Sequence, residues 1–177
     1  MTPIFLRKAH LSDLDSIMAI VNDAKALLKR DGSPQWQDGH PSQETFLQDI
    51  SQEISWVLVV GNEIAGTATL QLTPDPTYSE ITDGMWFNTA VPYATLHRVC
   101  ISRHFRGQHL GKFLFSNLIT IGLSLGYSNF RLDTHEKNKR MQKLAQDWGF
   151  IRRGIVSVDD KIDPKRIAFE LNIPNKD

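Results

Sequence analysis

Two periodicities alternate along this chain, and the switches between them outline its elements. The run IFLRKA near the start is short and extended in character. Behind it Leu14, Ile17, Met18, Val21 and Leu28 recur at helical spacing, with Ser12 placed to cap the helix and Asp15 three residues on. The turn-rich DGSPQWQDGHPS follows, and Ser42 is then set to cap a second helix carrying Phe46, Leu47 and Ile50. SWVLVV and EIAGTATLQL flank Gly61 and Asn62, which predicts two strands joined by a tight hairpin. TPDPTYSEITDGM is long, polar and proline-containing; connections of that kind are functional or mobile, so this one is expected to cover a site.

YATLHRVCIS reads as a further strand and Phe105 to Gly107 as a turn. His109 to Leu125 reads as a helix with Leu110, Phe113, Leu114, Leu118, Ile121 and Leu125 on one side and Gly126 as its stop. SNFRLDT is another strand, NKRMQKLAQDW another amphipathic helix ending near Gly149, and FIRRGIVSV and RIAFEL close the chain as two strands around the turn-like DDKIDPK. The order β-α-α-β-β-β-α-β-α-β-β predicts an α/β (α+β) fold with a mixed, mostly antiparallel sheet. The strand-helix-strand unit around residue 110 can form one parallel crossover.

Composition narrows the function classes. With 177 residues, 41% hydrophobic and 23% charged, the chain is expected to form one domain over residues 1–177 with a sizeable core. Twenty Lys plus Arg balance twenty Asp plus Glu, so no global field recruits nucleic acid or an anionic membrane, and neither is expected as a partner. No segment approaches the roughly 20 apolar residues of a membrane span, and the N-terminus lacks a long apolar core after a basic start. A cytoplasmic location is expected. The single cysteine, Cys100, excludes an internal disulfide and a cysteine-based metal cluster, and the six histidines show no ligand spacing, so no metal is expected.

The segment RHFRGQHLGKFLF sets basic residues and two glycines directly before an apolar run. A strand, a glycine-bearing turn and a helix start bring free backbone N–H groups and the positive end of a helix dipole into one small volume, which suits a phosphate. Gly107 permits close approach, Gly111 lets the helix pack near a ligand, and Arg103, Arg106 and Lys112 add charge; the alternative is a helix start with ordinary surface cations. The P-loop does not fit, because Gly107 and Gly111 are separated by three residues and Lys112 is followed by Phe113. The dinucleotide fingerprint does not fit either: its three glycines after a first strand, in a repeating parallel architecture, are missing.

Arg106-Gly107-Gln108-His109-Leu110-Gly111, between a strand and a helix, resembles the Gln/Arg-x-x-Gly-x-Gly/Ala motif of the GNAT superfamily of acyl-CoA N-acyltransferases. His109 stands where the motif has its middle glycine. The resemblance extends over nearly the whole element order and to an Asn…Gly-Phe segment, here Asn138 and Gly149-Phe150. It implies a sheet splayed near Ile101 and flanked by helices on both faces. It also implies acetyl-CoA as donor, an amine acceptor, and a monomer or homodimer.

The same resemblance assigns backbone roles to Val99 and Ile101 along the pantetheine arm. It places the N–H groups of Arg106, Gly107, Gln108, His109, Leu110, Gly111 and Lys112 around the pyrophosphate, with Asn138 at the start of the next helix. A protonated His109 could contact phosphate or point outward. The family's tyrosine general acid, seven residues after that Asn in many members, is replaced by Ala145, so another group or water must protonate the thiolate.

His97 lies on the strand implied to carry the thioester, and neutral imidazole suits a base for the incoming amine. The aralkylamine acetyltransferases of this superfamily carry a catalytic histidine at the matching position; the competing reading is a hydrogen-bonded structural histidine. Cys100 is read as a small buried residue, since residues three apart on a regular strand face opposite ways and cannot pair as nucleophile and base. Gln35, Trp36 and Trp86 lie in turn-rich segments where the family builds its acceptor pocket, and either stack on an amine or pack beneath loops. Tyr78 is a candidate phenol donor or a packing anchor. Asp133 and Glu136 could attract a cation, and Arg131 with KNKR is expected to be a solvated helix start. A non-catalytic acyl-CoA-binding or sensing module is the alternative function, made credible by Ala145 and His109.

Overall fold

The computed structural model describes residues 2–174. Its elements follow the expected order: β1 (Ile4–Lys8), α1 (Leu14–Arg30), α2 (Gln43–Ser51), β2 (Ser55–Val60), β3 (Glu63–Gln71), β4 (Tyr93–Ile101), α3 (Leu110–Ser124), β5 (Asn129–Thr134), α4 (Lys139–Asp147), β6 (Ile151–Ser157) and β7 (Lys165–Asn172). They form a seven-stranded sheet in the order β1-β2-β3-β4-β5-β7-β6, antiparallel except for β4 with β5. That parallel pair is joined through α3, the crossover the sequence pattern called for.

The helices divide between the two faces. Against one, α3 and α4 bury Leu110, Leu114, Phe115, Leu118, Ile119 and Ala145 over Leu58, Leu70, Leu96, Phe130 and Phe169. On the other, α1 and α2 bury Ile17, Val21 and Phe46 over Val57, Val59 and Cys100. The loop 73–92 forms a third cluster, with Tyr78 and Trp86 packed on Val156 and Ala168.

Several local expectations change once packing is known. Ser12 does not cap α1: a 3-10 turn, Leu11–Asp13, precedes the helix, and Asp13 is held by Arg7 at 2.7 and 2.9 Å and by the His10 N–H at 2.7 Å. Ser42 does cap α2, accepting from the Thr45 N–H. On α2 Leu47 faces solvent while Asp49 is buried, because Asp49 accepts from Thr69 on β3 and binds the Arg98 guanidinium through two bonds, at 2.8 and 2.9 Å. Phe113 of α3 and Leu125, just past its end, are exposed, and Phe115, Ile119 and Gly122 face the sheet in their place.

Two irregularities shape β4. It pairs with β5 only from Tyr93 to Thr95, so the two strands part from Leu96 onward, before the Ile101 position expected. Against β3 it carries an extra residue: Thr69 faces His97 and Thr67 faces Cys100, with Arg98 at φ 52 inside the bulge. Paired residues share a face, so the bulge turns His97 and Cys100 to the same side. The regular-strand argument against their pairing therefore fails, although burial still pushes the Cys100 thiol up to about 12.

The loop 73–92 docks on β6 through paired bonds between Thr82 and Ile155 at 2.7 and 2.8 Å. Gly84, at φ 147, passes so close to this strand that an added Cβ would lie 1.8 Å from the Arg153 carbonyl oxygen. Gly84→Ala is expected to lower the stability of the fold by about 1–3 kcal/mol, read as a lower denaturation midpoint in urea with an unchanged slope.

Candidate functional site

Where β4 and β5 part, a cavity of about 670 Å³ opens between them, walled by Leu96 to Ile101 on one side and by Leu132, Asp133 and Thr134 on the other. One end reaches the turn before α3. There the N–H groups of His109, Leu110 and Gly111 precede any i−4 carbonyl of the helix and find no acceptor among the described residues. The Gln108 and Lys112 N–H groups, by contrast, donate to the Phe105 and His109 carbonyls at 3.4 and 3.0 Å, and neither residue lines the cavity. Gly107, at φ 83, meets nothing within 4 Å at its Cβ position. His109 has a left-handed backbone, at φ 57, with its side chain exposed.

Val99, Ile101, Arg106, Gly107, His109, Leu110, Gly111 and Asn138 all line the cavity. Arg106 reaches toward the Asp23 carbonyl of α1, at 3.4 Å. Asn138 caps α4 by accepting from the Met141 N–H and donates to Gln35. The wall along α4 is made by Asn138, Arg140, Met141 and Leu144, while Ala145 is fully buried in the core.

The loop 33–41 adds Gln35, Trp36, Asp38, His40 and Pro41 to the lining. Gln35 is buried; its Oε1 accepts from Thr134, the His135 N–H and Asn138, tying this loop to the segment after β5. Trp36 sits at φ 66. Of the five non-glycine residues with positive φ among the described residues, Trp36, Arg98 and His109 line this cavity, so backbone strain is concentrated on its walls.

His97 lines the cavity and engages Asp75, a residue that no sequence pattern singles out. Its Nε2 lies 2.9 Å from Asp75 Oδ2, with the two side chains 16% and 13% exposed. The other oxygen, Oδ1, accepts from the Thr77 N–H at 2.8 Å and the Thr77 hydroxyl at 2.6 Å, and the Asp75 N–H donates to the Tyr93 hydroxyl at 2.9 Å. Burial disfavours the ionised carboxyl, but the hydrogen bonds from His97 and Thr77 and the His97 charge outweigh it and bring Asp75 down to about 2.

Tyr78 and Trp86 do not line the cavity. Tyr78 is 2% exposed and stacks among Trp86, Tyr93 and His97, and its hydroxyl donates to Asp133 Oδ1 at 2.7 Å. Burial first, and then the Asp133 charge, raise its pKa well above the ordinary phenol value, so its proton is held rather than available. Trp86 is buried with its indole N–H on the Tyr78 carbonyl. Arg131 is likewise not a solvated cation: its guanidinium lies 4.0 Å from both the Trp86 and Tyr93 rings and bonds to Glu170 and the Asn88 carbonyl. Loop aromatics and cations look alike in sequence whether they face a ligand or a core.

Comparison with known proteins bears on this arrangement. The sequence model of the acetyltransferase (GNAT) family matches residues 21–150. An acetyltransferase of the GNAT family from Streptococcus agalactiae is 31% identical, with 97% of this chain and 96% of that one covered and a TM-score of 0.86. A putative acetyltransferase from Staphylococcus aureus is 25% identical over 95% of this chain and 98% of that one, with a TM-score of 0.70. The ribosomal-protein-S18-alanine N-acetyltransferase of Escherichia coli, 18% identical over 97% and 94%, shares the fold with a TM-score of 0.66. No curated protein matches. The chain belongs to the GNAT acetyltransferase family, whose members use acetyl-CoA as donor. No helix among the described residues is long and apolar enough to cross a membrane.

The depressed Asp75 pKa links stability to pH. A carboxyl lowered from 3.8 to about 2 contributes stability, roughly 2 kcal/mol, that is fully present above about pH 5 and lost as pH falls toward 2. Melting temperatures of wild type and Asp75→Asn should therefore converge on acidification from pH 5 to pH 3, with the wild type losing more.

Proposed function

We propose that residues 1–177 act as an N-acetyltransferase that moves the acetyl group of acetyl-CoA to a primary amine by direct attack in a ternary complex. The observation that carries this reading is the continuity of one cavity. Its lining includes free N–H groups at the start of α3, the edge of β4 left unpaired by β5, and His97 with a set of carboxylates. A pyrophosphate fits the first, because preorganised N–H donors and the helix dipole hold anions there, and Gly107 leaves room for close approach. The amide groups of a pantetheine arm fit the second, where the β4 edge turned away from β3 has backbone donors and acceptors without a paired strand.

The third part suits a cationic acceptor. Asp38, Asp75, Asp133, Asp159 and Asp160 are among the lining residues, while three of the four lining arginines are paired with carboxylates, Arg98 with Asp49, Arg140 with Asp31 and Arg166 with Asp160. Trp36 offers an aromatic face in the same lining. An alkylammonium entering there must lose a proton before it attacks. In the proposed step that proton passes to His97 directly or through water, the free amine nitrogen bonds to the thioester carbonyl carbon, the C–S bond breaks, and the second proton on the nitrogen is released to water. The departing thiolate takes a proton from water, since no tyrosine lines the cavity among the described residues.

Ala145 and the phenol-free wall favour the second reading, an acyl-CoA-binding module without turnover. Calorimetric titration with CoA, followed by thiol release from acetyl-CoA across a panel of amines, separates the two. The enzyme reading expects binding with turnover on at least one amine, and a fall in kcat of about 10²-fold or more in His97→Ala with CoA affinity retained. Binding lost in Gly107→Trp together with no turnover by the wild type supports the sensor, and no CoA binding at all removes both.

A further inference from the structure

We infer that Asp75 is a positioning residue that fixes the tautomer of His97, so that Nδ1, and not Nε2, is the nitrogen that takes the amine proton. The inference rests on the acetyl-transfer reading for its chemistry, but its structural content stands without it. An ionised carboxylate can only accept hydrogen bonds, so the Nε2 that lies 2.9 Å from Asp75 Oδ2 must carry its hydrogen. In the neutral ring that leaves the lone pair on Nδ1. When Nδ1 gains the amine proton, the charge on the resulting imidazolium is balanced at contact distance by Asp75, and no proton need pass to the carboxylate.

The carboxylate is itself fixed. Thr77 donates twice to Oδ1, from its N–H and its hydroxyl, and the Tyr93 hydroxyl accepts from the Asp75 N–H, so Oδ2 has one direction in which to point. This arrangement makes the outcome of one substitution specific. In Asp75→Asn the single carbonyl oxygen has two donors waiting at Thr77, which draws it to the Oδ1 site and turns the amide NH₂ toward His97. An NH₂ group donates, so Nε2 must then accept, and the hydrogen moves to Nδ1. The variant thus keeps the shape and every neighbour while blocking the base nitrogen. A comparable Asp-to-Asn exchange behind a catalytic histidine costs about 10⁴ in kcat.

The test has a spectroscopic and a kinetic arm. Proton–nitrogen correlation spectra of the imidazole, with His97 assigned through His97→Gln, should show the Nε2–H tautomer in the wild type at alkaline pH and the Nδ1–H tautomer in Asp75→Asn. An Nδ1–H wild-type ring, or the same tautomer in both proteins, overturns the inference whether or not the protein turns over any amine. Kinetically, with an amine found in the panel, Asp75→Asn should lose about 10²-fold or more in kcat with KM for acetyl-CoA within about twofold, and the His97→Ala/Asp75→Asn double variant should lose no more than His97→Ala alone. Full activity in Asp75→Asn beside an impaired His97→Ala overturns the positioning role alone. Unimpaired His97→Ala overturns the base assignment, leaving the tautomer result to stand or fall separately.

Discussion

The parting of β4 from β5 is the constraint on which the rest of this structure depends. Parallel neighbours in a sheet ordinarily stay paired along their length, because each backbone group left without a partner in a buried place costs about as much as a lost hydrogen bond. Here the pairing lasts from Tyr93 to Thr95 and stops, and the cavity occupies the space that continued pairing would have closed. A ladder abandoned this early needs a device at its apex. Arg131, opposite Thr95 at the last paired position, supplies it: the guanidinium is clamped between Trp86 and Tyr93 and bonded to the fully buried Glu170, which also accepts from Arg153 and the Phe87 N–H. A buried carboxylate with two guanidiniums and a backbone donor is well satisfied, and losing any one partner would leave charge stranded in the interior.

On the other side of β4 the bulge at Arg98 complements the split. An extra residue in a strand bends it and re-aims its side chains. The strained Arg98 backbone is held by its two bonds to Asp49, and Asp49 is held in turn by Thr69 on the strand opposite. Helix α2 thus braces β4 on the face that carries His97, and its Thr45 lines the same cavity.

What could be read from the sequence follows the range of the interactions involved. The eleven elements and the Gly61-Asn62 hairpin declare themselves by local periodicity and turn chemistry, and so does the glycine-bearing turn before α3. Pairings between distant segments leave no such trace. Asp75 and His97 are twenty-two positions apart in sequence, Asp49 and Arg98 further still, and nothing in either neighbourhood marks the partner. Tyr78 and Trp86 stay open between ligand platform and packing anchor, and Arg131 reads as solvated, for the same reason: an aromatic in a loop looks like a ligand platform until the buried cation it encloses is seen. The bulge was equally hidden, because YATLHRVCIS reads as an unbroken strand and only the register with β3 reveals the extra residue.

Loop 73–92 joins these parts into one mechanical unit. Its first turn presents Asp75 to His97, and the Tyr93 hydroxyl that receives the Asp75 N–H belongs to the same ring that stacks on Arg131 at the apex of the split. Tyr78, one turn further, packs against the His97 ring and bonds to Asp133 on the far wall of the cavity. Later residues are pinned to β6 by Thr82 and to β7 by the Phe87 N–H. The orientation of the imidazole, the width of the opening and the stability of the loop are consequently set by shared contacts. A change in one propagates to the others through residues that never touch a substrate, so the loop is a structural determinant of the site as much as its cover.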